Sequence, residues 1–170
     1  MRTQGVAGGL GVSIEKARNY LKKFGKDGDI KELAVSAATV ELAANALNVT
    51  PAEIAKSLAF KATDATEEVA AILILTSGDV KVDNAKFKQQ FGYKACMLTP
   101  DEVLRVVGHA VGGVCPFGIP EDVKVYMDMS LKRFEYVYPA CGESNAVIKL
   151  SLVELERLSG SCGWLDVCKS

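Results

Sequence analysis

The sequence predicts a single α/β domain with a mixed sheet, and three observations carry that expectation. Segments with apolar residues at helical spacing alternate with short apolar runs of strand length along the whole chain. Helix-length crossovers and tight turns both join the extended runs, so parallel and antiparallel neighbours should coexist. No repeat, low-complexity tract or linker divides the 170 residues. That length suits one domain, residues 1–170, able to bury roughly two-thirds of its unfolded surface.

The elements follow in order. Ser13 opens SIEKARNYLKKFG, where Ile14, Ala17, Tyr20, Leu21 and Phe24 keep helical spacing and Gly25 stops the helix. Its other face carries Lys16, Arg18, Lys22, Lys23 and Lys26, which reads either as a solvated face or as a small phosphate-contacting patch. DIKELAVSA reads as extended and TVELAANALN as a second helix. Thr50, Pro51 and Glu53 form a capping box with proline at the first helical position, so a short helix carrying Lys56 near its end is expected. SLAFKA and VAAILILTSGD are apolar enough to be central, buried strands. Asp79 and Asp83 in SGDVKVD suit a turn and the cap of the next helix, NAKFKQQFG, which ends at Gly92. YKACML reads as a strand, and TPDEVLRVVG repeats the capping logic with Thr99, Pro100 and Glu102 before stopping at Gly108. VKVYMDMSLKRFEYVYPACG reads as a hairpin of two extended segments and NAVIKLS as another strand. LVELERLSG is a last helix and WLDVC a last short strand.

Composition narrows the function classes. Charged residues make up 24% of the chain and the net charge is -1, so there is no global basic field for gripping duplex DNA. Any nucleic acid would be held locally. No apolar run reaches the ~18 residues that span a bilayer, and MRTQGVAGGLG lacks the apolar core of a secretory signal, so a cytoplasmic protein is expected. The cysteines at 96, 115, 141, 162 and 168 form no CxxC pair and no compact Cys/His cluster. They read as reduced thiols, with no zinc or other metal site.

VGGVCPFGIP, residues 111–120, holds five glycines and prolines, too many for a helix or strand. Glycine permits positive φ and close approach while proline fixes φ, so the mixture describes a rigid, specially shaped loop. By composition it is either a tight turn beside the sheet or a cradle presenting backbone groups to a ligand. Cys115 within it is either a packed thiol or a nucleophile, and the sole histidine, His109, stands six residues earlier.

The succession AKSLAF, AILILTSGDVKVD, TPDEVLRVVGHAVGGVCPFGIP, VYMDMSL and YPACGESNAVIKLS resembles the YbaK/EbsC-like family, which includes the editing domain of bacterial prolyl-tRNA synthetases and its free-standing relatives. The resemblance runs from about residue 14 to 168. It implies an α+β fold with a strongly curved, largely antiparallel mixed sheet flanked by helices. It implies a trans-editing aminoacyl-tRNA deacylase that hydrolyses the ester of mischarged tRNA, such as alanine or cysteine on the proline tRNA, without a cofactor. The partner would be the acceptor end of aminoacyl-tRNA, with prolyl-tRNA synthetase a further candidate. Gly112, Gly113, Val114, Cys115 and Pro116 match the family's Gly-x-x-x-Pro loop, completed by Phe117 and Gly118. Lys56 matches the lysine opening its K-[ST]-L-x-[FV] strand, and Asn145 the asparagine after the glycine turn. Lys56 and Gly112 would then serve catalysis, and the other loop residues, Asn145 and His109 would bind substrate. An ester needs a positioned water and oxyanion support, which backbone amides and an ammonium can supply. A non-catalytic aminoacyl-binding module of the same fold and a thiol enzyme built on Cys115 are the alternatives.

Overall fold

The computed structural model describes residues 5–63 and 69–169, with side chains from Ser13 onward. AILILTS, the most apolar run, forms strand β3 (Ala71–Ser77), buried at all seven positions. Strand β2 (Ile54–Lys61) lies antiparallel to it, from Ala55 opposite Ser77 to Lys61 opposite Ala71. This pair is the centre of a six-stranded sheet. On the β3 side come β4 (Lys124–Asp128) and β8 (Trp164–Leu165), and on the β2 side β5 (Tyr136–Pro139) and β7 (Leu150–Ser151). A separate antiparallel pair joins β1 (Lys31–Glu32) to β6 (Ala146–Val147). The sheet is mixed, as expected. Its longest antiparallel pairing is β2 with β3, whereas β2/β5, β3/β4 and β4/β8 are parallel.

Each face is covered because β3 is apolar on both. One face packs against helix α1 (Gly5–Lys22) through Ala17 and Leu21, against the 111–120 loop through Cys115 and Phe117, and against helix α5 (Leu152–Leu158) through Leu155 and Leu158. The other packs Phe60, Ile72 and Ile74 against Phe87 of helix α3 (Asn84–Phe91). Asp83 caps α3 as expected, and Asp79 pairs with Arg133 at 2.6 and 3.0 Å. Helix α2 (Val40–Leu47), capped by Thr39, makes a smaller cluster with Ile54.

Five local expectations are corrected. The Thr50–Glu53 capping box closes only one 3-10 turn, Pro51–Glu53, before the strand pattern of IAKSLAFK takes over, so Lys56 lies on β2 and not at a helix end. YKACML is irregular, with a single bridge to β2 at Met97 opposite Phe60, flanked by the bonds of Leu98 N to Ala59 O and of Lys61 N to Cys96 O. Helix α4 (Pro100–Glu102) continues as a π turn, Val103–Val107, before Gly108 ends it in the left-handed conformation. The expected hairpin over 123–142 does not form, because β4 and β5 sit on opposite sides of the β2/β3 pair. Asp128 redirects the chain there. Its carboxylate accepts from Ser130 N and Val167 N, both at 2.9 Å, while Ser130 Oγ accepts from Ser77 N at 3.1 Å, pinning a 3-10 turn across the end of β3. NAVIKLS likewise breaks into β6 and β7 with different partners. The 64–68 part of the polar TDATEE stretch lies outside the described residues.

Asp128 is 1% exposed, so removing its carboxylate leaves buried amides unpaired. Asp128→Ala is expected to cost about 2–4 kcal/mol, read as a lower midpoint in urea unfolding. An unchanged midpoint would show that the turn holds without it.

Candidate active site

The parallel pairing of β2 with β5 ends at Ala55 opposite Pro139, and the segment around Met97 meets the same strand from Ala59 to Lys61. Between them the edge of β2 opens onto a cavity of about 230 Å³. Alanines make much of its wall, Ala38, Ala43, Ala55, Ala59 and Ala140 among them. Val103 and Val114 close it from the side of α4 and the loop, and Val111, 64% exposed, stands at its mouth. Its polar lining residues are Thr39, Lys56, Ser57 and Tyr138, with Gly112 beside them.

The 111–120 loop has two sides. Its inner side, Gly113, Cys115, Pro116 and Phe117, is buried against the sheet, and Gly112 and Val114 face the cavity. The fold is locked there by backbone contact: Gly142 N donates to Gly113 O at 2.9 Å, and a Cβ on Gly113 would come within 2.5 Å of the Gly142 carbonyl carbon. Gly112 has φ +100, and a Cβ there would stand 3.3 Å from Ala38 Cβ. The amides of Gly112 and Val114 have no hydrogen-bond partner among the described residues.

Lys56 leaves β2 on the face opposite Ala55, Ser57 and Ala59. Its Nζ donates to Val80 O at 2.5 Å, and burial pulls its pKa below the ordinary lysine value, partly offset by Cys168 and Asp79. Ser57 Oγ is buried in the wall without a hydrogen-bond partner.

His109 and Cys115 are fully buried and brace the loop. His109 Nε2 lies 2.8 Å from Phe117 O, a contact in which only the ring can donate, so Nε2 carries the proton and Nδ1 is left a buried, unpartnered acceptor. Cys115 Sγ is 3.5 Å from that same Nε2, whose proton is already committed. Burial pushes the Cys115 thiol up to about 12. A thiol so placed, beside a nitrogen that cannot take its proton, is a packing group. Asn145 stands apart from the cavity wall and binds strand-side backbone: its Nδ2 donates to Leu33 O at 3.1 Å. The basic face of α1 is divided, with Arg18 paired to Glu32 at 2.9 Å and Lys26 to Glu154 at 2.6 Å, while Lys16 Nζ reaches Gly108 O at 3.3 Å. Among the described residues no His/Cys/Asp/Glu group is gathered as metal ligands would be, and no helix is long and apolar enough to cross a membrane.

The model of the aminoacyl-tRNA editing domain family matches residues 34–158, which contain the whole cavity. The chain belongs to this family. An uncharacterized protein of Bacillus subtilis (strain 168), YwhH, is 47% identical over 93% of this chain and 98% of its own. The proline–tRNA ligase of Bacillus pumilus (strain SAFR-032) is 37% identical over 79% of this chain, which spans about a quarter, 24%, of that ligase. The crystal structure of a candidate trans-editing enzyme for prolyl tRNA synthetase superposes with a TM-score of 0.80 at 30% identity, covering 93% of this chain and 98% of that one. This editing domain thus unites Lys56, Gly112 and Val114 around one cavity, while Gly113, Cys115, Pro116, Phe117, Gly118, His109 and Asn145 do not line it. Sequence reasoning missed Ser57, although it follows Lys56 directly, and missed the alanine wall, whose A-x-S-x-A spacing was visible in AKSLA.

Two expectations follow. Cys96 and Cys162 are exposed and Cys115, Cys141 and Cys168 buried, so two thiols per native chain should react with a disulfide reagent at pH 8 and all five after unfolding. Fast labelling of Cys115 in the folded protein would contradict the packing role. Burial also lowers the pKa of His109 below the ordinary ~6.5. The unfolded chain then binds a proton that the folded one refuses, so stability is retained above pH ~6.5 and lost as pH falls below it. Tm should drop between pH 7 and 5 more steeply in the wild type than in His109→Gln, and parallel profiles would refute this.

Proposed function

We propose that this editing domain is a free-standing deacylase that hydrolyses the ester of tRNA mischarged with a small amino acid, alanine or cysteine on the proline tRNA. The observation that carries the reading is the alanine-walled cavity, with Lys56 and the free amides of Gly112 and Val114 in its wall. A cavity of about 230 Å³ is below the ~300–1,000 Å³ of common ligand pockets, so it suits an aminoacyl group and not a larger ligand. The ribose and the rest of the tRNA would stay outside its mouth.

Water adds to the ester carbonyl, the carbon–ribose oxygen bond breaks, and the products are the free amino acid and the ribose hydroxyl, the water's proton passing to the departing oxygen. The amides of Gly112 and Val114 are suited to the oxyanion that forms on the carbonyl. Substrate groups, the neighbouring ribose hydroxyl or the amino group, can relay the proton. An aminoacyl ester is labile already, and four to six decades of acceleration, roughly 5–8 kcal/mol, lie within what positioning and electrostatic support provide. Lys56 lines the cavity, and its ammonium, on the face of β2 opposite Ser57, keeps two N–H donors beyond the bond to Val80 O. Selectivity is steric. Exclusion of larger side chains is strong, whereas one methylene among small apolar ones is worth only ~1–3 kcal/mol.

The test is a panel of labelled aminoacyl-tRNAs incubated with the protein. Alanyl- or cysteinyl-tRNA(Pro) is expected to be deacylated and prolyl-tRNA(Pro) spared. Lys56→Ala and Gly112→Ala should each lower single-turnover deacylation at least tenfold in folded protein, Gly112 because alanine at φ +100 is strained and presses on Ala38. No hydrolysis of any member by the wild type would overturn the reading, and full activity in both variants would remove these residues from the mechanism.

A further inference from the structure

The unpartnered hydroxyl of Ser57 coincides with a gap in the sheet. On β2, Ala59 O accepts from Leu98 N at 3.1 Å and Lys61 N donates to Cys96 O at 2.8 Å, so the odd-numbered residues turn their backbone groups towards the open edge. Ala55, next in that parity, is opposite Pro139. A continued parallel ladder would connect Ser57 to Ala140 O and Gly142 N. That rung is missing, because Gly142 N is given to Gly113 O. Ser57 therefore presents one N–H, one C=O and one hydroxyl to the cavity, midway along an edge of roughly 13 Å between Ala55 and Ala59.

We infer that the aminoacyl group of the substrate fills this gap as a one-residue extension of the sheet, its α-amino group donating to the carbonyl and hydroxyl oxygens of Ser57 and its ester carbonyl facing the Ser57 N–H. The inference rests on the deacylase reading and assigns how that site recognises the amino acid. An extended N–Cα–C=O unit exchanges this pair of bonds with an opposing strand residue, the same chemistry by which peptides add to open sheet edges. Directly opposed residues place their side chains on the same face. The amino-acid side chain would then lie on the face of Ala55, Ser57 and Ala59, where the wall is made of small groups. No Asp or Glu side chain lines the cavity among the described residues, so oxygen acceptors of the strand are what an ammonium meets there.

The experiment uses alanyl-tRNA(Pro) and the lactyl-tRNA(Pro) made from it by deamination, which keeps the ester and replaces the ammonium with a hydroxyl. The wild type is expected to prefer the alanyl ester in kcat/KM. Ser57→Ala should reduce that preference about tenfold, mainly through KM for the alanyl ester, while Ser57→Thr, which keeps the hydroxyl, retains it. Because the lost hydroxyl had no partner, Ser57→Ala should also raise Tm by about 2–4 °C. An alanyl-to-lactyl ratio in Ser57→Ala equal to that of the wild type, or an equal loss in Ser57→Thr, would overturn the assignment while leaving the deacylase reading intact. If the wild type hydrolyses neither ester, the deacylase reading itself falls, and this assignment with it.

Discussion

The hydrogen bond from Gly142 N to Gly113 O is the contact on which the site depends. It joins two loops that arrive from different parts of the chain, and both residues must be glycine: a Cβ on Gly113 would meet the Gly142 backbone, and one on Gly142, at φ +90, would meet the Ser13 backbone. By taking the Gly142 amide it turns the chain away from β2 just after Ala140, where Ala140 pairs instead with Val147. The edge of the central strand is left open as a result. An unpaired edge is ordinarily a liability, and proteins cover or charge it. Here it is enclosed by α2, the loop and Met97, so it becomes the wall of a cavity and not an exposed template.

The electrostatics of the loop favour stillness over reactivity. His109 stays neutral because burial outweighs the hydrogen bond to Phe117 O, and its one N–H is used as a brace. Cys115 stays protonated beside it. Both residues stand behind the backbone of Gly112 and Val114 that lines the cavity, so what the loop presents there is amides held at fixed positions. Lys56 is the one cationic residue lining the cavity among the described residues, and the tie of its ammonium to Val80 O, on the other face of β2, fixes a long, flexible stem that would otherwise sample many rotamers.

Periodicity revealed what local physics controls. The caps at Asp83 and Thr99, the buried β3 run and the rigid glycine-proline loop each depend on neighbours within a few residues, and all were legible. The partners of strands were not. VKVYMDMSLKRFEYVYP has the pattern of a hairpin, yet Asp128 and Ser130 bind Val167 and Ser77, residues 39 and 53 positions away, and those bonds decide the topology. The same limit applied at the site. The motif around Lys56 marked the right strand, but that Ser57 is orphaned follows from where Gly142 goes, which no spacing in β2 encodes. Asn145 shows the converse: its motif position suggested a pocket, and tertiary packing gave it to Leu33.

The alanines of β2 and its surroundings make the strongest case that the cavity is maintained for a purpose. Alanine is a poor strand former, and Val or Ile at positions 55 and 59 would bury more apolar surface, about 0.8 kcal/mol for each added CH₂. The other face of the same strand follows the stability rule, with Leu58 and Phe60 packed against the aromatic cluster around Phe87. Only the face turned to the loop carries Ala55, Ser57 and Ala59, and there the opposing residues, Val103 and Val114, are not drawn in to close the space. An open volume of this size forfeits contact energy on every side chain that lines it. A fold that fills one face of a strand with large groups, and holds the other open over an unpaired backbone residue, has its stability deficit concentrated where a small ligand with peptide-like polar groups would make it good.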